Sequence, residues 1–124
     1  MPGGRVLILG LDPDTIPGID AAAVRAGLDY GLARFEASAL IADQCLVPLD
    51  ATAEHRIVEA LEGGQKYDCV VVGGGIRKPE PLLQFFEAVI NLIRRHAPHA
   101  AIAFNADGGT SLEAAQRVLA PRPQ

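Results

Sequence analysis

Two hydrophobic periods alternate along this chain. Short unbroken apolar runs are each followed by a longer segment whose apolar residues recur every three or four positions. The first pattern describes strands covered on both faces and the second describes amphipathic helices. The runs predict strands at about residues 5–9 (Val6-Leu7-Ile8 at the core), 42–48, 69–72 and 100–104. The helical period predicts helices at about 21–37, 53–62, 79–96 and 111–119. In the first helix Val24, Leu28, Gly31, Leu32 and Phe35 share one face, and Arg25 and Asp29 oppose it at i,i+4 spacing. Gly27 and Gly31 weaken that helix and are expected where it packs closely on the sheet.

The stretch from Tyr67 to Pro81 organises the pattern. Cys69 to Val72 is apolar without alternation, then Gly73-Gly74-Gly75 ends the run, and Lys78-Pro79-Glu80-Pro81 reads as a helix start. The three glycines read equally as a tight strand-to-helix turn or as a cradle for an anion beside Arg77 and Lys78. Their spacing is neither that of a P-loop nor that of Gly-x-Gly-x-x-Gly after a first strand.

Helix ends are marked. Asp20 is an expected N-cap, Gly63-Gly64 an expected stop, and Thr110-Ser111-Leu112-Glu113 an expected capping box. The third helix is apolar over more than half its circumference, through Leu82, Leu83, Phe85, Phe86, Val89, Ile90, Leu92 and Ile93. A helix lying on one sheet needs a narrower stripe. A homodimer through this helix is therefore expected, with cover by neighbouring elements as the alternative.

Four β–α units in alternation imply one α/β domain over residues 1–124, a three-layer α/β/α sandwich on a four-stranded parallel sheet. The expected order is 2-1-3-4, and a ligand would bind at the carboxyl edge between the first and third strands. That edge gathers Asp12, Gly73, Gly74, Gly75, Arg77, Lys78, Asn105 and Asp107 as candidate ligand-binding residues. Arg77 and the amides near Gly74 would hold an anionic group, with Asp12 and Asn105 orienting the rest.

Composition narrows the function classes. With 49% hydrophobic and 21% charged residues the chain is globular, and a net charge of −4 argues against nucleic-acid binding. No apolar run approaches the roughly 20 residues of a membrane span, and the N-terminus lacks a signal-peptide pattern. A cytoplasmic protein follows, with Cys45 and Cys69 as free thiols in strands. The three histidines form no metal set, and the sequence names no metal or cofactor. Pro121 to Gln124 reads as a frayed tail.

The order of elements resembles flavodoxin-like and receiver-like domains. A receiver's phosphoacceptor Asp is missing, since the third strand ends in Gly73. The flavodoxin phosphate loop and the cobalamin-binding Asp-x-His-x-x-Gly motif are also missing. Most of the chain is similar to small bacterial α/β proteins that share a Tyr-Asp-Cys-Val-Val-Val-Gly-Gly-Gly-Ile-Arg strand and a Phe-Asn ending to the fourth strand. That resemblance implies the fold and no activity.

The leading expectation is a small-molecule binding or regulatory protein with an anionic ligand between the first and third strands. The alternatives are a hydrolase or lyase using Asp carboxylates such as Asp12 and Asp50, with or without His55 and with or without Mg²⁺, and a structural or interaction protein acting through its third helix.

Overall fold

The computed structural model describes residues 4–120. Its sheet is parallel throughout and ordered β2-β1-β3-β4, from β1 (Arg5–Leu11), β2 (Ile41–Val47), β3 (Cys69–Val72) and β4 (Ala101–Phe104). This is the expected flavodoxin-like arrangement, shortened by one strand. The register sets Leu9 beside Cys45 on one side and Val72 on the other, with Val72 beside Phe104. The first and third strands are neighbours pointing the same way.

Successive residues of the central strands enter opposite cores, as the two-residue period requires. Leu7, Leu9, Val70 and Val72 face α2 (Ala53–Glu62) and α4 (Leu83–His96), meeting Ile57, Leu61, Val89 and Ile93. Val6, Ile8, Cys69 and Val71 face the other way, towards Phe35, Leu112, Ala114 and Ala115. That second layer holds α1 (Ala21–Ala33) and α5 (Ser111–Leu119). All four residues of β3 are buried, which explains its run without alternation.

Helix ends follow the expected chemistry in two places. The Asp20 carboxylate accepts from Ala23 N–H at 3.0 Å. Gly64 takes φ +97° just beyond α2, the left-handed conformation that ends helices. Three expectations need correction. The first helix stops at Ala33 and tightens into a 3-10 turn over Arg34–Ala37. The third helix does not begin at Pro79. A short helix, α3 (Gly74–Arg77), follows β3 directly, then a 3-10 turn at Glu80–Leu82, and α4 starts at Leu83. Pro79 has no N–H with which to continue α3, so the chain must break there. The capping box at Thr110 does not form. The Thr110 hydroxyl turns back to Ala106 N–H and Asp107 N–H at 3.0 and 3.1 Å, and Glu113 is drawn across to Arg34.

The broad apolar surface of α4 is taken up largely within the chain. Val89 and Ile93 are buried, and Phe85, Phe86, Ile90 and Leu92 pack at the margin of the core. Phe86 also meets Phe104 edge to face, centroids 5.9 Å apart. Leu83 stays 61% exposed. No helix among the described residues is long and apolar enough to cross a membrane. The tail expected at 121–124 lies outside the described residues.

Candidate functional site

β1 and β3 end side by side, and the chain leaves them in opposite directions. β1 passes into the Pro13–Thr15 3-10 turn and then α1, while β3 passes into α3. Gly73 N–H donates to Leu9 O at 2.9 Å and holds the two exits together. A cleft of about 970 Å³ opens between them, at the reversal of strand order. Its floor is Gly10, Gly73, Gly74 and Gly75, and α1 roofs it with Ala23, Val24, Gly27 and Leu28. The third wall is the β4–α5 loop, Asn105 to Gly109.

The roof explains an anomaly of α1. Its expected inward face splits in two. Gly31 and, beyond the helix end, Phe35 are buried, whereas Leu28 is half-buried and Val24 exposed. The C-terminal end of α1 docks on the second core, and the N-terminal half stands over the cleft. Ile19, Val24, Tyr30 and Leu49, half of the large hydrophobic side chains left exposed among the described residues, all line the cleft. An apolar lining rimmed by exposed apolar groups is the usual surface of a ligand pocket.

Struts fix the walls. Asn105 is 3% exposed, with both ends of its amide engaged. Oδ1 accepts from Gly74 N–H at 2.9 Å, and Nδ2 donates to Ser111 Oγ at 3.0 Å. The Arg77 guanidinium donates to Asn105 O at 2.7 Å and lies over the Phe104 ring, 5.7 Å from its centroid. Its Nε is buried without a hydrogen-bond partner. Lys78 Nζ donates to Ala106 O. On the opposite side the Arg25 guanidinium binds both Asp12 and Asp14, at 3.0 and 2.9 Å, instead of the expected Asp29. The shorter reach to the turn that precedes α1 wins. Arg34 binds Gly109 O and Glu113, and this pairing holds the Glu113 carboxyl below the usual carboxylate range.

Of the candidate residues read from the sequence, Gly73, Gly74, Gly75, Lys78, Asn105 and Asp107 are brought together as lining of the cleft. Asp12 and Arg77 are not among the lining residues, and each is turned to its own partners. Asp107 Oδ1 accepts from Gly109 N–H at 2.8 Å, shaping its own loop. His55 is well exposed on α2, 3.6 Å from Glu59, and does not line the cleft. Asp50 is held below the usual carboxylate range by hydrogen bonds from Thr52. Among the described residues no cluster of three His, Cys, Asp or Glu side chains could hold a metal ion. The apolar lining from Ile16, Ile19, Val24, Leu28 and Tyr30 is what sequence reasoning missed.

No protein-family model, curated protein or solved structure matches the chain.

Proposed function

We propose that this chain is a small-molecule binding protein, that its site is the cleft at the carboxyl ends of β1 and β3, and that its ligand carries an anionic end. The observation behind the reading is one of place. A cleft of about 970 Å³ lies where the strand order reverses. Open parallel α/β sheets bind their ligands there, and the volume is that of a small-molecule pocket. Among the described lining residues Lys78 is the cation and Asp107 the carboxylate; Asp107 is turned to Gly109 N–H while Lys78 keeps free donors, which favours an anion over a cation. With both cysteines free, the reading places the protein in the cytoplasm.

Binding is preferred to hydrolysis because the acid–base candidates stand apart from the cleft. Asp12 is paired with Arg25 and His55 faces solvent. Dimerisation through α4 would rest on Leu83, and the binding reading does not require it.

Backbone-amide NMR of ¹⁵N-labelled protein, titrated with a small-compound library, tests the site. Binders are expected to move the amides of Gly10, Gly73 to Gly75 and Asn105 to Gly109. A library that moves none of these, or only residues elsewhere, overturns the reading.

A further inference from the structure

Resting on the reading of the cleft as a ligand site, we infer that its ligand is an amphiphilic monoanion: a compact apolar body, larger than one benzene ring, bearing a single carboxylate or similar group. Three observations on different elements lead there.

The first is the lining. Leu11, Ile16, Val24, Leu28 and Leu82 come from β1, the turn after it, α1 and the turn before α4, so the apolar surface meets the half-open space from several sides and is not one exposed stripe. A highly polar ligand, such as a sugar or a free phosphate, would lose hydration against these groups without regaining hydrogen bonds.

The second is the state of the polar groups. Asn105 has both amide ends engaged internally, Asp107 accepts from Gly109 N–H, and Gly74 N–H is given to Asn105. Few fixed groups are left to read a polyhydroxylated ligand. Lys78 keeps capacity, since an ammonium has three donors and one goes to Ala106 O. Lys78 is exposed at the end of α3. The anionic end is therefore placed beside Gly74 and Lys78, with the body running under Val24 and Leu28.

The third is size. A cleft of about 970 Å³ exceeds what a single ring fills, so affinity must rise as the body grows. A bicyclic aromatic acid or a medium-chain acyl carboxylate has the right dimensions.

The test is calorimetric titration of the full chain with straight-chain carboxylates from butanoate to decanoate, with 2-naphthoate, with the neutral 2-naphthalenemethanol and with inorganic phosphate. Affinity is expected to rise up to about fourfold per added methylene, until the cleft is full. Lys78→Gln is expected to weaken 2-naphthoate about tenfold and leave the neutral alcohol unchanged. The conservative Lys78→Arg is expected to restore most of the loss. Phosphate binding at the cleft with no gain from apolar length would overturn the ligand class and leave the site standing. Absence of binding by every compound, with no shift of the cleft amides, would overturn both. So would cleft amides that move with protein concentration alone, because a second copy would then be the occupant.

Discussion

The carbonyl oxygen of Gly108 lies 1.9 Å from the point where a Cβ would stand on Gly31. No side chain fits there, so α1 and the β4–α5 loop touch backbone to backbone. The contact anchors the C-terminal end of α1, and Arg34 reinforces it through Gly109 O and Glu113. The same helix stands off the sheet in its N-terminal half. A roof fixed at one end and tethered at the other by Arg25 leaves space beneath it, and that space is the cleft.

Gly31→Ala is expected to destabilise the protein by about 1–3 kcal/mol. The overpacking cost exceeds the roughly 1 kcal/mol that Ala gains over Gly in a helix. Gly27→Ala meets nothing within 4 Å and is expected to stabilise by up to about 1 kcal/mol. Urea denaturation of the two variants measures the opposite signs.

Asn105→Ala strands Gly74 N–H and the Ser111 hydroxyl. The expected loss is about 1–3 kcal/mol for the buried Ser111 hydroxyl left unpaired, and less for the half-buried Gly74 N–H, which water in the cleft can reach. Hydrogen exchange should show the loosening first at Gly74 to Lys78, because Asn105 fastens α3 to the start of α5.

The Glu113 carboxyl is held below its ordinary value of about 4.3 by Arg34. A depressed carboxyl stabilises the fold above its unfolded pKa, and that contribution disappears as pH falls through the folded value. Arg34→Met should therefore cost stability at neutral pH, and the gap to wild type should narrow below about pH 4 to the part carried by the Gly109 O hydrogen bond, which does not titrate. Thermal melts of both proteins across this range measure the narrowing.

Burial pushes the Cys69 thiol up to about 12 and raises that of Cys45 less. Cys69 is also fully enclosed. With a maleimide at neutral pH, Cys45 is expected to label slowly in the folded protein, and Cys69 only when the protein unfolds. Peptide mapping of labelling against urea concentration distinguishes the two.

The sheet was legible because its signal is local. Cys69 to Val72 has no polar position, and only a doubly covered strand can bury it. The carboxyl edge at which the cleft opens followed from the alternation of elements. The character of the cleft was not legible. Val24 and Leu28 have the spacing of core residues, and the same pattern serves a helix face packed on a sheet or poised above a cavity. Gly27 and Gly31 were expected against the sheet, whereas Gly31 meets the loop that leaves β4. Arg77 and Lys78 were legible as charges at the carboxyl edge of the sheet. Their partners, the carbonyls of Asn105 and Ala106, depend on where a loop distant in sequence comes to rest. Glu113 failed as a cap for the same reason, since Arg34 arrives from a remote helix end.

The central claim, that the cleft under α1 holds a small molecule, is tested most directly by native mass spectrometry. Wild type and Val24→Trp would be purified in parallel, then mixed with 2-naphthoate. Trp at position 24 would fill the space beneath the helix, and thermal melts confirm that the variant is folded. Wild type is expected to take up one molecule per chain and folded Val24→Trp none. Equal uptake by the two proteins, or none by wild type from either its expression host or the added acid, would contradict the account.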